Sequence, residues 1–422
     1  MGLSSSKPKE GCVPEFKEKK RGKKACVITN GCPENRIDGA RMQEFLRENG
    51  WIVTANYADA DVILFNACGF TQRTQENSIT ITNLIQAKKK PSAELIVYGC
   101  LPKINRPRLR EVHKGCVFGH EIEQLCGIIE TQTSPPSVWR TSPQDTYANY
   151  LIAPTLVPLA RKWRVPHFKN IVSLMSITEL LTKPYCKRLS QKANIFGPNT
   201  FCIKVSTGCL NACAFCAIRI SRGKLKSKPT GKIIEEFEEG LSKGYREFAL
   251  LGTDVGSYGR DRGTTLVALL RELVKKKGDY EIKVRNIQPR HLIEMMPELR
   301  EIFKYDKIPY VSSAAESGNN RILKIMGRGY RIEDYKQAIR TLNSQFPQMQ
   351  IRTQIMVGFP SETEDEFQDT LRLLDEVRFD FVEVYAFQAR PNTEAAKMKD
   401  QVPQKVIRRR YHKAYMKSLF HL

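Results

Sequence analysis

Short apolar segments alternate with amphipathic ones along two stretches of this chain, and that alternation restricts the fold more than any other feature. In the N-terminal stretch, three segments are too short for helices and rich in β-branched residues: ACVITNGC (25–32), DVILFNAC (61–68) and ELIVYGC (94–100). The segments between them, DGARMQEFLRENG and SITITNLIQAKKK, have the apolar spacing of helices. This alternation predicts an α/β fold, with an open parallel sheet and crossover helices.

The alternation resumes near residue 200 and repeats six times. The strand candidates are FCIKVSTG, REFALLGTD, EIKVRNIQP, IPYVSSAAE, QIRTQIMVGFP and FDFVEVYAF. Helix candidates such as KIIEEFEEGLSKG and EDEFQDTLRLLDEVR lie between them, and Ser361 with Glu364 is predicted to form a capping box for the second of these. Six such units predict a partial (β/α)6 barrel, whose functional site lies at the carboxyl ends of its strands.

Changes in composition along the chain set the predicted domain boundaries. The first residues are polar and basic and predict a flexible tail, whose opening MGLSSS also matches a short N-myristoylation pattern that many sequences match by chance. The Pro/Ser-rich stretch TSPPSVWRTSPQD begins a linker and an insertion without clear periodicity. The predicted domains are the tail at 1–24, the N-terminal sheet domain at 25–130, the linker and insertion at 131–198, the barrel core at 199–400 and a basic C-terminal helix at 401–422.

Length and charge narrow the class of protein. A chain of 422 residues is expected to form two or three domains. A formal net charge of +23 predicts a polyanionic partner, with RNA or DNA the first candidates. We find no signal-peptide pattern and no apolar run of the roughly 18 residues that a membrane span needs, so we expect a cytoplasmic protein. Disulfides are rare there, and the 12 cysteines therefore indicate metal ligands, catalysis or burial.

Each of the three N-terminal strand candidates ends in a cysteine: Cys32, Cys68 and Cys100. The carboxyl ends of parallel strands lie at one edge of a sheet, where open α/β folds bind their ligands, so we expect the three thiols to meet. The alternative is that the three cysteines are simply buried in the core. A cysteine at the same point of three successive strands favours a metal site.

Three further cysteines lie within eight positions, on the loop after the first barrel strand: Cys209, Cys213 and Cys216. A closed zinc site needs four ligands, usually as two separated pairs, and this chain has no second C-x2-C pair. Three thiolates on a cubane iron–sulfur cluster instead leave one iron open. An open iron can chelate the amino and carboxylate groups of S-adenosylmethionine, and an electron from the cluster can then release an adenosyl radical.

These residues carry a resemblance to a known family. The Cys209 loop, with Phe215 before its last cysteine, resembles the signature of the radical S-adenosylmethionine superfamily, whose fold is the partial barrel predicted above. Further motifs, spread over roughly residues 25–125 and 200–410, narrow the resemblance to the methylthiotransferase family. The matching residues are Gly31, Cys32, Asn35 and Asp38 (G-C-x-x-N-x-x-D), Asn66 and Cys68 (N-x-C), Gly99 and Cys100 (G-C), and Arg222, Gly223 and Pro229 (R-G…P).

The resemblance implies two 4Fe–4S clusters, one on the Cys209 loop and a second held by Cys32, Cys68 and Cys100. It further implies S-adenosylmethionine as the cofactor and the open iron of the second cluster as the carrier of the inserted sulfur. The product would carry a methylthio group at a carbon that held hydrogen. The expected partners are tRNA and an electron donor such as flavodoxin or ferredoxin.

The resemblance also marks candidate residues for cofactor binding, which lie in the cysteine loop and at the ends of barrel strands. They are Phe215, Gly252, Thr253, Asp254, Ser313, Glu316 and Gly358. The chain departs from the family pattern at Glu316, which replaces a glutamine, and at Gln354, which replaces an aspartate. It also ends at Leu422 without the small β-rich RNA-binding domain usual in the family. These departures affect the substrate assignment more than the reaction.

The sequence therefore predicts a radical S-adenosylmethionine methylthiotransferase that acts on an adenosine of tRNA. The basic stretches RISRGKLKSK and VIRRRYHK are candidates for holding the RNA backbone. Three alternatives stay open: the same chemistry on a protein side chain or a natural product, a different radical S-adenosylmethionine reaction, and a zinc-stapled nucleic-acid-binding protein without catalytic activity.

Overall fold

The structure is a computed structural model that describes residues 22–121, 123–126 and 199–420. The predictions for residues 1–21 and for the linker and insertion at 131–198 lie outside these residues. Within the described part of the chain, every helix is too short or too polar to cross a lipid bilayer.

The described residues form two compact units. The first unit comprises the described residues up to 126 together with Phe215–Lys224 and Gln388–Ala396. The second unit comprises the other described residues from 199 onward. The sequence had placed Phe215–Lys224 and Gln388–Ala396 in the barrel core, so the division differs from the predicted boundaries at these two segments, which we call the returning segments.

The first unit is built on a four-stranded sheet with helices between the strands. Its elements are β1 (Lys24–Thr29), α1 (Pro33–Glu48), β2 (Ile52–Val53), a 3-10 turn (Tyr57–Asp59), β3 (Val62–Ala67), α2 (Gln72–Lys88), β4 (Glu94–Gly99), α3 (Cys100–Ile104), α4 (Arg106–Arg110), α5 (Glu123–Cys126) and, from a returning segment, α6 (Ala217–Arg222). The strand order is β2–β1–β3–β4 and all pairs are parallel, with Ala25 beside Val62 and Val62 beside Glu94. The predicted parallel α/β sheet is confirmed.

Apolar residues on both faces explain why this sheet forms. Every residue of β3 is buried, as a central parallel strand covered by helices on both sides requires. On one face Leu64 belongs to a cluster with Phe45 of α1, and on the other Phe65 belongs to a cluster with Ile85 of α2. The sequence did not predict β2, because two residues at a sheet edge, one of them the exposed Ile52, give no periodic signal.

The other elements, most of them in the second unit, continue the strand–helix alternation. They are β5 (Thr200–Lys204), β6 (Ser206–Thr207), β7 (Lys226–Ser227), α7 (Thr230–Ser242), β8 (Glu247–Leu251), a 3-10 turn (Val255–Ser257), α8 (Leu266–Val274), β9 (Glu281–Val284), α9 (Pro289–Phe303), β10 (Tyr310–Ser312), α10 (Asn320–Ile325), α11 (Ile332–Gln345), β11 (Gln350–Val357), α12 (Glu364–Glu376), β12 (Phe381–Ala386), α13 (Glu394–Lys397) and α14 (Gln404–Phe420).

Six parallel strands form the sheet of the second unit, in the order β5–β8–β9–β10–β11–β12. Each strand therefore neighbours the next strand candidate of the sequence, and β5 and β12 are the two edges among the described residues. At the amino ends of the strands, Phe248 packs against Phe237 of α7 with ring centroids 4.2 Å apart. The aromatic core thus closes one end of the sheet and leaves the carboxyl ends for a site, as the partial barrel predicts.

Two local predictions need correction. The first barrel strand candidate, FCIKVSTG, is divided into β5 and β6, because β6 turns away to pair antiparallel with β7. The predicted capping box of Ser361 with Glu364 is wrong. Thr363 is the N-cap of α12, and it exchanges hydrogen bonds with Glu366 instead. Ser361 has a φ of 66°, whereas an N-cap residue needs an extended backbone.

Candidate functional site

Cys32, Cys68 and Cys100 lie at one edge of the first unit's sheet. Cys32 immediately precedes α1, Cys68 immediately follows β3, and Cys100 begins α3 directly after β4. Burial raises the pKa of Cys68 and of Cys100, and a neighbouring thiol raises each pKa further: Cys32 acts on Cys68, and Cys68 acts on Cys100. The structure therefore brings together the three cysteines that the strand ends predicted to meet.

Two glycines allow the chain to make this close approach. Gly31 has a φ of 95°, and a Cβ at this position would lie 2.5 Å from the Cβ and 2.7 Å from the Sγ of Cys68. Gly99 has a φ of 98°, and its Cβ would collide with the side-chain oxygen of Asn66. Only glycine adopts such backbone angles without strain and also leaves the space open. The turns before Cys32 and Cys100 therefore depend on these two residues.

Buried amides fix the backbone around Cys68. Asn30 accepts a hydrogen bond from the Cys68 amide at 2.8 Å and donates to the Ser78 hydroxyl, which in turn donates to the Cys68 carbonyl at 2.7 Å. Asn35 donates to the Asn30 carbonyl at 3.2 Å, and Asn66 donates to the Asn35 carbonyl at 3.0 Å. This network joins the ends of β1 and β3 to the first turn of α1. The family motif had marked Asn35 and Asn66, but the sequence gave no reason to single out Asn30 or Ser78.

The three thiols differ in their exposure. Cys68 and Cys100 are buried, whereas Cys32 is exposed. The Sγ of Cys100 lies 3.3 Å from Nε2 of His120 and 3.9 Å from Oδ1 of Asn35. Thiols whose pKa is raised by burial stay protonated until a cation or a metal stabilises the thiolate. The site thus has two buried cysteines and one, Cys32, that reaches the surface, although burial also raises the pKa of its thiol to about 11.

A buried arginine lies beside this site. Arg222, at the end of α6, has a side chain only 3% exposed. Its Nη2 donates to Oδ1 of Asn35 at 2.6 Å, and its Nη1 lies 3.1 Å from a carboxylate oxygen of Asp38 and 3.5 Å from one of Glu34. The R-G…P match had marked Arg222, but nothing in the sequence indicated that it meets the first turns of α1.

In the second unit, the Cys209 loop is anchored by Asn211. Both the backbone and the side-chain N–H of Asn211 donate to the Sγ of Cys209, at 3.3 and 3.2 Å. The same side chain donates to Asp254 at 2.8 Å and accepts from Arg290 at 2.9 Å. The other oxygen of Asp254 accepts the backbone N–H of Gln288 at 3.2 Å. Asp254, predicted as a cofactor residue, is therefore held by protein groups that tie the second barrel strand to the cysteine loop.

Cys213 receives a charged donor. Nη1 of the buried Arg328 donates to its Sγ at 3.4 Å, and Nη2 donates to the carbonyl of Ala314 at 2.7 Å. Burial raises the pKa of Glu316, and the nearby Arg328 guanidinium opposes that shift. The Nε of Arg328 is buried without a hydrogen-bond partner among the described residues. Arg328 thus connects the cysteine loop with the end of the fourth barrel strand, which the sequence did not predict.

Several buried polar groups at the carboxyl edge of the barrel sheet lack a hydrogen-bond partner among the described residues. The hydroxyls of Ser206, Thr253 and Ser313 find none within the part of the chain that the structure describes. A Cβ at Gly252 would lie 2.5 Å from the Ser206 hydroxyl, so this position is kept open. An unsatisfied buried group costs about 1–3 kcal/mol, which a polar ligand reaching it would recover. These groups, with the Nε of Arg328, are therefore candidates for contact with a polar ligand.

The other predicted cofactor residues, Glu316, Gly358 and Phe215, make contacts within the protein that do not by themselves indicate a ligand. Glu316 is buried in a left-handed conformation, with a φ of 68°, and its backbone pairs with Gln354 and Met356 on β11. The Gly358 amide donates to Glu362 at 2.7 Å, so it is already used within the protein. Phe215 is half-buried, in the segment that packs with the first unit. Their role toward a cofactor stays a prediction.

The cysteine geometry also bears on the choice of metal. Nine cysteines have described side chains, and none of them forms a disulfide. In the ranges 22–121, 123–126 and 199–420, no three side chains of His, Cys, Asp or Glu come close enough together to hold a single ion. Thiolates that bind different irons of one cluster stand further apart than the ligands of one ion. A cluster on each three-cysteine set therefore stays a prediction.

Comparisons with known proteins identify the family and the fold of the chain. Residues 203–374 match the radical SAM superfamily, and residues 24–119 match the uncharacterised protein family UPF0004. The structure is similar to a radical S-adenosylmethionine methyltransferase, TsrM, from Kitasatospora setae, with a TM-score of 0.59 at 11% identity over 95% of this chain and 89% of that one. At such low identity this likeness concerns the fold alone.

Curated relatives match across most of the chain. A protein of Pyrococcus horikoshii named probable threonylcarbamoyladenosine tRNA methylthiotransferase is 30% identical, over 92% of this chain and 82% of that protein. The ribosomal protein uS12 methylthiotransferase of Thermodesulfovibrio yellowstonii is also 30% identical, over 92% and 80%. A tRNA-2-methylthio-N(6)-dimethylallyladenosine synthase of Pelotomaculum thermopropionicum has the same identity and coverage. These relatives modify either tRNA or a ribosomal protein, according to their names.

Proposed function

This chain belongs to the methylthiotransferase family of radical S-adenosylmethionine enzymes, and from that premise we propose that it inserts a methylthio group into an adenosine of tRNA with the help of two 4Fe–4S clusters. The observation that carries the proposal is the convergence of Cys32, Cys68 and Cys100, in addition to the Cys209 loop. When bound, the clusters would pass on an electron from a donor and carry the sulfur, and S-adenosylmethionine would supply the radical and the methyl group.

The first site would hold the cluster that carries sulfur. Cys68 and Cys100, which are buried, keep two thiolates away from water, while the exposed Cys32 marks the side that is open to solvent. The turns at Gly31 and Gly99, with the hydrogen bond that Asn30 accepts from the Cys68 amide, would set the positions of the three cysteines before any metal arrives. A substrate would then approach from the side of Cys32.

The second site would hold the cluster that binds S-adenosylmethionine, through Cys209, Cys213 and Cys216. Asn211 and Arg328 donate hydrogen bonds to two of these sulfur atoms, which stabilises the thiolate form. The buried hydroxyls at the carboxyl edge would orient the polar end of the cofactor. The electron would come from a partner such as flavodoxin or ferredoxin.

The charge of the chain supports RNA as the substrate. The net charge is +23, and the segment 404–420 contains six Lys or Arg and no Asp or Glu. On α14, Lys405, Arg408 and His412 are exposed and recur at helical spacing on one face, while Ile407 and Ala414 are buried on the other. A cationic helix face of this kind favours a phosphate backbone. A ribosomal protein remains the second candidate substrate, because some relatives are named for that activity.

One experiment separates the substrates. The full chain is reconstituted with iron and sulfide without oxygen, and is supplied with S-adenosylmethionine, a reductant and either unmodified tRNA or ribosomal protein uS12. Mass spectrometry of the nucleosides and of the protein then detects the methylthio group. We expect it on a tRNA adenosine. Modification of the protein alone would overturn the tRNA assignment, and consumption of S-adenosylmethionine without sulfur insertion would indicate a different radical reaction.

A further inference from the structure

A short helix connects one cysteine of the radical motif to the edge of the other cysteine site. Cys216 is the N-cap of α6, and Arg222 is the last residue of the helix. Six residues of α-helix span about 9 Å. Both ends of α6 belong to the first unit, although Cys209 and Cys213 belong to the second. The position of Arg222 is therefore tied to that of Cys216 by one rigid turn-and-a-half of helix.

The buried charge of Arg222 is held by one end of α1. Its three side-chain partners, Glu34, Asn35 and Asp38, are all in the first two turns of that helix, directly after Cys32. A buried guanidinium without such partners would be strongly destabilising. Because the Arg fork keeps its charge at all accessible pH values, it supplies a permanent positive charge at this point.

The same guanidinium shares a partner with one of the three cysteines, Cys100. The Asn35 oxygen that accepts from Arg222 at 2.6 Å is also 3.9 Å from the Sγ of Cys100. Asn35 therefore links the buried guanidinium of Arg222 to the side of the site where Cys100 lies.

We propose that Arg222 is a positioning residue for the site of Cys32, Cys68 and Cys100: its fork fixes the first turns of α1 behind Cys32, and its buried positive charge lies beside the place where a cluster would bind. This inference rests on the proposed second cluster. Arg222 belongs to the R-G match that follows the Cys209 loop in sequence. The proposal gives this arginine a role at the site of Cys32, Cys68 and Cys100, to which the Cys209 loop contributes no ligand.

The test uses full-length chains in which Cys209, Cys213 and Cys216 are replaced by alanine, so that only the first site can bind a cluster. The Cys216 side chain makes no capping hydrogen bond to α6, so its removal should leave the helix intact. Three variants are made in this background: Arg222→Gln, Arg222→Lys and, as the matched control, Arg219→Gln. Arg219 is an exposed residue of the same helix. Iron, labile sulfide and the reduction potential of the cluster are measured for each.

We expect the background and the R219Q control to hold about four irons per chain. R222Q should hold less than half of that, and the clusters it retains should have a more negative reduction potential, because a nearby positive charge has been removed. R222K should keep the potential while binding iron less well, since it keeps the charge and loses the fork. A purely structural role would lower iron binding in both variants without moving the potential of R222Q.

Each result decides between distinct claims. If R222Q matches R219Q in both iron and potential, the role of Arg222 is wrong and the proposed function stands. If the background itself binds no iron, the proposed second cluster is wrong. If R222Q does not fold, R222K decides: a potential equal to that of R219Q supports the charge role, and a shifted potential overturns it.

Discussion

The two cysteine sites are assembled in opposite ways. The site of the first unit collects its thiols from three strand ends, 36 and 32 positions apart, whereas the Cys209 loop gathers its thiols within eight positions. The first site has two buried cysteines, Cys68 and Cys100, and depends on a network of amides and on two glycine turns. The thiols of the second are half-buried, and side-chain donors reach two of them directly. One site is made by sheet topology and the other by a local loop.

This difference predicts that the backbone is the weak point of the first site. Gly31→Ala combines a strained φ of 95° with a collision against Cys68, whereas Gly50→Ala has a similar φ of 79° and open space. The strained backbone alone should cost about 1–2 kcal/mol in either variant. The collision should cost G31A about 1–3 kcal/mol more and should reduce iron binding at the first site. Urea unfolding and iron analysis of both variants check this.

Equal losses of unfolding free energy in G31A and G50A, with iron retained in both, would contradict the account of the turn. The control is sharp because the two glycines share the left-handed conformation and belong to the same unit. The two positions differ in what an added Cβ would meet: the side chain of Cys68 at Gly31, and open space at Gly50.

The second unit should respond to pH near neutrality through Glu362. Burial raises the pKa of Glu362 from 4.5 to about 7, although Gly358 and Arg410 donate hydrogen bonds to its carboxylate. The folded protein therefore keeps a proton that the unfolded chain releases between these values. The higher proton affinity of Glu362 in the folded protein therefore adds to the unfolding free energy. This contribution is fully present below pH 4.5 and is lost as the pH rises through about 7.

Glu362→Gln should remove that dependence. Between pH 5 and 8, the wild type should lose about 2–3 kcal/mol of unfolding free energy relative to E362Q, as the shift of the pKa requires. Chemical denaturation at several pH values measures the difference. Parallel pH profiles for the two proteins would mean that Glu362 is ionised in the fold.

Two asparagines allow the two sites to be compared directly. Asn30 holds the backbone around Cys68, and Asn211 donates to the sulfur of Cys209. Asn30→Ala should cost about 1–2 kcal/mol of unfolding free energy, because buried partners are left unsatisfied. Asn211→Ala should also cost stability, because Asp254 and Arg290 each lose a partner, but it alone should make the reduction potential of its cluster more negative, because N–H donors to sulfur are lost. A shifted potential in N30A with none in N211A would contradict the distinction between a topological and a local site.

The smallest effect is expected at the surface. Replacing Lys405 and Arg408 with alanine should weaken tRNA binding a few-fold and make its salt dependence less steep, by about one counterion per lost phosphate contact. Lys232→Ala is the control, because this exposed lysine of α7 is paired with Glu235 at 2.7 Å. Titrations of tRNA at several salt concentrations measure both slopes. An unchanged slope in the double variant would exclude α14 from the RNA-binding surface.

What could be predicted from the sequence followed from periodicity and spacing. Alternating apolar segments predicted the order of the main strands, and a cysteine at three strand ends predicted that Cys32, Cys68 and Cys100 meet. The capping of α12 was mispredicted because the spacing of Ser361 and Glu364 says nothing about the backbone angle of Ser361. The donors Asn211 and Arg328 were missed for different reasons.

Asn211 stands two residues after Cys209, so a search for short polar side chains beside each cysteine could have found it. Arg328 lies 115 positions from Cys213, and no local pattern connects the two. Likewise, the contacts of Arg222 with α1 depend on a segment that packs with the first unit rather than with its neighbours in sequence. Such long-range polar contacts are decided by tertiary packing and leave no periodic signal.

The central claim is that the chain holds two iron–sulfur clusters on two independently built sites. It is tested most directly by iron and labile sulfide per chain after anaerobic reconstitution, compared between the wild type and a variant with Cys32, Cys68 and Cys100 all replaced by alanine. We predict about eight irons in the wild type and about four in the variant. About four in both proteins would leave only the Cys209 loop as a cluster site and contradict the account, and zinc without sulfide would contradict it entirely.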